Sequence, residues 1–290
     1  MGVDVHAARL LALAKREGVD FSRTITLGHQ WLHIDRRAMH KVLQEMGVDL
    51  GDRALDNMDG SAPFADALLT AFGAKDPVSV DASSYENATI VHDMNVDLPD
   101  ELIGKFSLLI DCGTLEHVFN FPVAIRNSMK MLSVGGHVAF VTTANNFMGH
   151  GFYQFSPELF YRVLSPENGF QVLRMFISEV RPNAPWYELM DPSAIRQRVE
   201  LTNNAPAYLL VLAKRTADVA PLAKAPQQSD YEQLSWRDGQ RTAESGRGRL
   251  VAAARRIMPE WLFARLYWIW MRARPSFAAP YYRPVGRDLR

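Results

Sequence analysis

Four short apolar runs in this sequence are each followed by a glycine or an aspartate. Gly28 follows the run 23–27, Asp81 follows 77–80, Asp93 follows 88–91 and Asp111 follows 106–110. The composition of these runs favours β-strands. An aspartate just past a strand can accept hydrogen bonds from both hydroxyls of a ribose, and one in the following loop can accept a hydrogen bond from adenine N6. A glycine there lets the backbone approach a ligand closely. Each of these residues could equally be an ordinary turn or helix-capping residue.

A second group of polar residues lies near two of the later apolar runs. Its members are Glu116, His117, Asn145, Asn146, His150 and Tyr153. Histidine is the usual general base near neutral pH, so His150 and His117 are the candidates for accepting a proton from a substrate. The stretch 145–155 combines glycines, amides and a tyrosine, which is typical of a binding loop, and it predicts substrate contacts from Asn145, Asn146 and Tyr153. The alternatives are a helix-capping role for Glu116, structural histidines and a plain surface loop.

Metal binding is not predicted from the sequence. His29 and His33 are four residues apart, but no H-E-x-x-H pattern accompanies them, and no other cluster has the spacing of metal ligands. The single cysteine, Cys112, is interpreted as a small buried side chain.

Strands and helices are predicted to alternate along the chain. The predicted strands are 23–27, 77–80, 88–91, 106–110, 137–142, 170–178 and 208–213, and the predicted helices are 3–17, 35–46, 64–72, 122–132 and 157–164. This alternation predicts an α/β fold, a doubly wound and mostly parallel seven-stranded sheet with helices on both faces. Only an irregular stretch separates the last two strands, which predicts an antiparallel edge strand. In such a sheet the ligand binds beyond the carboxyl ends of the strands.

Composition divides the chain into three parts. Residues 1–215 are predicted to form the α/β domain, 216–249 a linker rich in Ala, Pro, Gln and Ser, and 250–290 a basic, aromatic, helical tail. From Arg237 onward the chain has twelve arginines and four acidic residues, a charge of +8, although the whole chain is neutral. With one cysteine and no signal-peptide pattern at the N-terminus, a cytoplasmic location is expected.

The residues from 106 to 143 resemble class I (Rossmann-like) S-adenosylmethionine-dependent methyltransferases. In that family an L-E-H-V loop follows the fourth strand and a Gly-Gly turn precedes the fifth, and Leu115–Val118 and Gly135-Gly136 match both. The resemblance extends more weakly over about residues 20–214. It implies S-adenosylmethionine as cofactor, with binding residues Gly28, His29, Gln30, Asp81, Asp93, Asp111 and Glu116. One departure is that the loop after the first strand has a single glycine, Gly28, where the family usually has several.

The resemblance implies transfer of a methyl group to an oxygen or nitrogen atom of a small-molecule or saccharide acceptor, including a glycolipid. The alternative is a non-catalytic protein of the same fold that acts as a scaffold at a membrane-associated assembly, which the single-glycine loop favours. A third alternative is an enzyme that uses the same cofactor for different chemistry. A nicotinamide dehydrogenase is disfavoured because no G-x-G-x-x-G opens a helix.

The tail segment 247–274 mixes arginine with tryptophan, leucine, phenylalanine and isoleucine. Such a segment can lie at the inner face of a membrane, with its arginines toward anionic headgroups. Packing on the domain or on another subunit is the alternative interpretation, and nucleic acid is not an expected partner. The oligomeric state is not predicted.

Overall fold

The structure is a computed structural model that describes residues 2–51, 54–58, 63–232, 253–272, 277 and 280–285. Its strands are β1 (Gly2–Val3), β2 (Thr24–Leu27), β3 (Trp31–Leu32), β4 (Val78–Asp81), β5 (Ile90–Val91), β6 (Phe106–Cys112), β7 (Leu132–Asn145), β8 (Phe170–Glu179), β9 (Tyr187–Leu189), β10 (Ala207–Arg215) and β11 (Tyr282–Pro284). Its α-helices are α1 (Val5–Arg16), α2 (Arg36–Met46), α3 (Asp66–Phe72), α4 (Phe121–Met131), α5 (Pro157–Val163), α6 (Pro192–Ile195), α7 (Ser229–Glu232) and α8 (Glu260–Arg272). Short 3-10 helices cover Asp100–Leu102, Leu115–His117 and Pro166–Asn168.

Nine of the described strands form one mixed sheet in the order β11-β9-β8-β10-β7-β6-β2-β4-β5. The strands β5, β4, β2, β6 and β7 run parallel to one another, as in the pairing of Ile25 with both Val78 and Leu109. The four pairings from β7 to β11 are antiparallel. A separate two-stranded sheet joins β1 and β3 in parallel.

This architecture confirms the α/β fold. The prediction of a seven-stranded, mostly parallel sheet is corrected, because the observed sheet has nine strands and is mixed. The short strands β9 and β11 extend it to nine strands, and neither is long enough to show a clear two-residue alternation. The expected antiparallel strand, β10, lies between β7 and β8 instead of at the edge of the sheet.

Helices cover both faces of the sheet, as predicted. Side chains alternate along β6, so that Leu108 and Ile110 pack in one core with α1, α2 and α3. Leu109 packs in the opposite core with α4 and α5. All seven residues of β6 are buried and five of them are apolar, as expected for a strand covered on both faces, with Ser107 and Asp111 as its polar residues.

Aspartate side chains begin the first two helices. Asp4 Oδ1 accepts hydrogen bonds from the backbone N–H groups of His6 and Ala7, at 2.8 and 3.0 Å. Asp35 Oδ1 accepts one from Ala38 N–H at 2.7 Å. Both residues satisfy donors that a helix N-terminus otherwise leaves open.

The described part of the predicted tail has two different surroundings. Strand β11 pairs with β9, and Tyr282 in it is buried in the second core. By contrast, most of helix α8 is exposed, including Trp261 and Ile269. The boundaries at 215/216 and 249/250 stay predictions, but the last described residues pack on the α/β domain. Among the described residues, no helix has both the length and the apolar character needed to cross a bilayer.

Candidate functional site

The carboxyl ends of the five parallel strands meet at one edge of the sheet. Strand β2 lies between β4 and β6. After β2 the parallel strands β4 and β5 are added on one side of it, and β6 and β7 are then added on the other side, so the strand order reverses at β2. In open α/β sheets this is where a crevice for a ligand forms. The residues predicted from the sequence to bind a ligand lie at or near these strand ends.

Gly28 is the point at which three of these strand ends come together. A Cβ atom on Gly28 would lie 2.9 Å from Thr114 Oγ1 and 3.7 Å from Asp81 Oδ2. Its backbone φ is +70°, a conformation that favours glycine. Its N–H donates to Val80 O at 2.7 Å, and its carbonyl oxygen accepts from Thr26 Oγ1 at 2.7 Å. The turn after β2 is therefore tight and closely packed.

Gln30 presents an unsatisfied acceptor beside this turn. Its Nε2 donates to the backbone oxygen of Leu27 and lies 3.4 Å from Thr114 Oγ1. Its Oε1 is buried and has no hydrogen-bond partner among the described residues. Buried polar atoms are rarely left in this state, and the predicted contact of Gln30 with the cofactor stays a prediction.

The ring of His29 is held by the protein. Its Nδ1 is 2.6 Å from Glu86 O, its Nε2 is 2.8 Å from Asp66 Oδ2, and the ring stacks on Phe64 with centroids 3.7 Å apart. Both ring nitrogens are thus engaged by protein groups, and the predicted contact of His29 with the cofactor stays a prediction.

Asp81 and Asp93 lie at the ends of neighbouring strands but in different surroundings. Asp81 is half-buried, and one oxygen accepts the N–H of Ser83 at 3.2 Å while the other faces Gly28. Asp93 is exposed, and its Oδ1 accepts from the backbone N–H and the side-chain amide of Asn95, at 2.9 and 2.7 Å. These hydrogen bonds hold the pKa of Asp93 below its usual range.

Asp111 and Glu116 are two fully buried carboxyl groups at the end of β6. Asp111 accepts the backbone N–H groups of Thr114 and Leu115, at 2.8 and 3.3 Å. Burial, with a contribution from the charge of Glu116, raises the pKa of Asp111 to about 8. Burial also raises the pKa of Glu116, whose Oε2 accepts from Thr142 Oγ1 at 2.9 Å. Asp111 therefore lies beneath the 113–118 loop and holds its backbone, instead of facing an open cleft.

His117 and His150, the two predicted bases, are neighbours in space. Their Nε2 atoms are 3.3 Å apart, and His150 Nε2 is 3.8 Å from Glu116 Oε1. Burial lowers the pKa of both histidines, so both rings are neutral at neutral pH. A neutral imidazole has a lone pair that can accept a proton.

The three predicted substrate-binding residues have protein partners. The amides of Asn145 and Asn146 donate to Asn203 Oδ1 at 2.8 and 2.9 Å, which joins the end of β7 to the loop before β10. The hydroxyl of Tyr153 donates to Phe119 O at 2.6 Å. Their predicted contacts with a substrate stay predictions, and each side chain also positions a loop.

Residues that the sequence did not single out complete the region. Thr114 bridges two strand ends, because its Oγ1 donates to Leu27 O at 2.8 Å. Phe119 and Phe152 are 70% and 66% exposed and meet edge to face, with ring centroids 5.6 Å apart. Both rings lie in the loops that carry His117 and His150, and they form an exposed aromatic pair beside the histidines.

No protein-family model matches this chain, and no curated protein sequence matches it. Solved structures do match. One is a possible histamine N-methyltransferase from Thermotoga maritima, an S-adenosylmethionine-dependent methyltransferase. It is 12% identical over 73% of this chain and 91% of its own, with a TM-score of 0.37.

Two further matches show the range of chemistry among these structures. The 1,6-didemethyltoxoflavin-N1-methyltransferase of Burkholderia thailandensis, solved with S-adenosylhomocysteine, is 11% identical over 73% of this chain and 79% of its own, at a TM-score of 0.39. The branched-chain polyamine synthase of Thermus thermophilus, solved with 5'-methylthioadenosine, is 14% identical over 77% of this chain and 61% of its own, at 0.38. Two of the three are methyltransferases, the class that the sequence resembles. With TM-scores below 0.5, they supply no residue roles for this chain.

Proposed function

We propose that this protein is an S-adenosylmethionine-dependent methyltransferase that acts on an oxygen or nitrogen of a small-molecule or saccharide acceptor. The observation that carries the proposal is the convergence of Gly28, Asp81 and Thr114 at the point where the strand order reverses. A ligand crevice is expected at this point. The L-E-H-V loop, from which the resemblance was inferred, borders it.

The chain has groups suited to each part of this cofactor. The half-buried carboxylate of Asp81 suits the ribose hydroxyls, and Asp93, one strand farther along the sheet, suits the adenine amine. The unsatisfied Oε1 of Gln30 suits an N–H or ammonium donor such as the one on the methionine part. When bound, the cofactor supplies a methyl group that its positive sulfonium makes electrophilic. The protein then contributes mainly by aligning the acceptor with that methyl group.

His150 and His117 are the groups that would accept the acceptor's proton. Their pKa values are lowered by burial, so the rings are unprotonated and able to act as bases at neutral pH. General-base assistance of this kind contributes about 10²–10⁴-fold to a rate. The exposed rings of Phe119 and Phe152 offer a surface for the apolar face of a sugar or of an aromatic acceptor.

A glycolipid acceptor and a location at a membrane surface form the finer part of the proposal. Its support is helix α8, where exposed tryptophan and isoleucine stand beside Arg265. A helix of this composition suits the interface of an anionic membrane.

Calorimetric titration with S-adenosylhomocysteine tests the cofactor assignment. Asp81→Ala removes charge-assisted hydrogen bonds to the ribose and is expected to cost about 1.5–3 kcal/mol of binding free energy. Asp100→Ala, which removes an exposed aspartate from a 3-10 helix, is the matched control and should bind like the unaltered protein. Equal affinity in both variants would contradict the role of Asp81. A folded protein that binds no S-adenosylhomocysteine would instead agree with the scaffold alternative.

A further inference from the structure

Three side chains in the loops that follow β6 and β7 form a cluster that the proposed chemistry does not fully explain. Nε2 of His117 and Nε2 of His150 are 3.3 Å apart, and Glu116 Oε1 is 3.8 Å from His150 Nε2. One ligand atom from each of the three residues lies within 4.8 Å of the others. We call Glu116, His117 and His150 the Glu-His-His cluster.

The backbone holds the Glu-His-His cluster together. Phe152 N–H donates to Glu116 O at 2.7 Å, so the loop that carries His150 folds directly over Glu116. Gly151 makes this approach possible, because a Cβ there would lie 2.7 Å from the same oxygen and its φ is +71°. On the other side, Thr142 Oγ1 donates to Glu116 Oε2 and orients the carboxylate.

Glu116 Oε1 has no hydrogen-bond partner among the described residues, although Glu116 is fully buried. The distance of 3.8 Å to His150 Nε2 is too long for a hydrogen bond. Leaving a buried carboxylate oxygen unsatisfied is costly. The atom is directed toward two imidazole nitrogens, and a cation among the three atoms would satisfy it.

We propose that the Glu-His-His cluster binds a divalent transition-metal ion. Two imidazole nitrogens and one carboxylate oxygen form a ligand set that suits zinc and related metals. Tetrahedral zinc with bonds of about 2.0–2.1 Å places neighbouring ligand atoms about 3.3–3.4 Å apart. The separation of 3.3 Å between the two Nε2 atoms agrees with that value. The 3.8 Å between Glu116 Oε1 and His150 Nε2 and the largest separation in the cluster, up to 4.8 Å, are longer, so the Glu116 carboxylate and the histidines must move closer together when the ion binds. Three protein ligands leave a fourth position open for a water or an acceptor oxygen. Thr142 fixes the carboxylate as an outer-shell partner does in metal sites.

The role of the metal in the reaction rests on the proposed methyl transfer, whereas its binding does not. A hydroxyl bound at the open position would lose its proton more easily, since the charge of the metal lowers its pKa. The proton would then leave to solvent. A nitrogen bound to metal is no base, so in the metal-bound protein His150 and His117 act as ligands and the metal replaces their role in deprotonation.

Zinc titration of the full chain tests the proposal without an activity assay. The protein is stripped with a chelator and titrated with Zn²⁺ in competition with a chromophoric chelator. The unaltered protein is expected to bind one Zn²⁺ per chain. His117→Gln and His150→Gln are expected to weaken binding by more than the roughly 10–100-fold that changes in outer-shell partners cause. His40→Gln, at an exposed position on α2, is the matched control and should leave zinc affinity unchanged.

His117 is exposed, so His117→Gln is expected to fold, and circular dichroism checks this. The proposal is overturned if the unaltered protein binds no zinc, or if His117→Gln and His40→Gln bind zinc equally well. A parallel titration with S-adenosylhomocysteine separates the two proposals. Zinc binding without nucleoside binding contradicts only the proposed function, and the reverse result contradicts only the metal site.

Discussion

Ionisable side chains in the two cores have pKa values that are moved by burial and by particular hydrogen bonds. The pKa values of Asp111 and Glu116, at the end of β6, are raised. The pKa of His6, on α1, is lowered, because burial favours the uncharged ring. Its Nε2 lies 2.9 Å from Arg181 O, and its Nδ1 accepts from Trp186 Nε1 at 3.0 Å. These partners specify a ring protonated on Nε2 alone.

The protonation of His6 predicts how stability depends on pH. Its folded-state pKa lies below the unfolded value of about 6.5, so the unfolded chain binds the proton more readily. The stabilising contribution is therefore present above about pH 6.5 and is lost as the pH falls below it, when the added proton on Nδ1 displaces the bond from Trp186. His6→Gln should flatten this loss of unfolding free energy as the pH falls below about 6.5, as measured in urea unfolding experiments. His40→Gln serves as the exposed control, and an unchanged acid slope in His6→Gln would refute this interpretation.

Some of the site could be predicted from residue types, and some could not. Gly28, Asp81, His117 and His150 were found because they follow strand ends or match the L-E-H-V loop. The engagement of the His29 ring could not be found, since its partners Asp66 and Glu86 come from elements distant in sequence. The same applies to Asn145 and Asn146, which bind a loop almost sixty residues away. The approach of His150 to Glu116 depends on the fold of the loop at Gly151.

At the level of elements, most of the longer helices and strands agree with the sequence prediction to within a few residues. Strand β7 differs, because it begins at Leu132, five residues before the predicted 137–142, and includes Gly135-Gly136, which the resemblance places in a turn before the strand. Helix α2 covers Arg36–Met46 where 35–46 was predicted, and β10 covers Ala207–Arg215 where 208–213 was predicted. Hydrophobic periodicity makes a helix such as α2 recognisable, and a short continuous apolar run does the same for a buried strand such as β10. Strands of two or three residues such as β1 and β3 carry no periodicity, because pairing with a distant partner creates them. Asp111 falls inside β6, which continues to Cys112.

Helix α8 leads to a prediction about lipid binding. Trp261, Leu266 and Ile269 are exposed on it, and Arg255 and Arg256 precede it. Each arginine near an anionic surface contributes about 1 kcal/mol, over a range of roughly 8 Å at physiological salt. In vesicle co-sedimentation, the protein should bind anionic vesicles and bind them more weakly as salt rises. Trp261→Ala should lower the part of the vesicle binding that does not depend on salt.

Tyr85→Ala removes another exposed aromatic ring, outside the helix, and is expected to leave lipid binding unchanged. If neutral and anionic vesicles both fail to bind the protein at low salt, the membrane part of the proposal is wrong. In that case packing of α8 on another protein surface would account better for its apolar residues.

At the level of the whole molecule, strand direction and strand order were the least predictable features. Alternating helices and strands indicated a doubly wound sheet, and the described structure has the expected reversal at β2 and β6. The antiparallel half, from β10 to β11, is fixed by contacts between residues far apart in sequence, such as Tyr282 with Leu189. Residues of the predicted tail thus contribute a strand to the main sheet, which composition alone did not indicate.

A crystal structure of the protein with S-adenosylhomocysteine tests the central claim most directly. The ligand is expected beyond the carboxyl ends of β2, β4 and β5, lying over Gly28 with its ribose hydroxyls on Asp81 and its adenine toward Asp93. The carboxylate of Asp81 should accept hydrogen bonds from both hydroxyls. Density for the ligand at any other place would contradict the account, for example in the cavity of about 380 Å³ between α5 and the segment 226–228. The account would also be contradicted if the crevice at Gly28 stayed empty at ligand concentrations well above those at which methyltransferases bind this nucleoside.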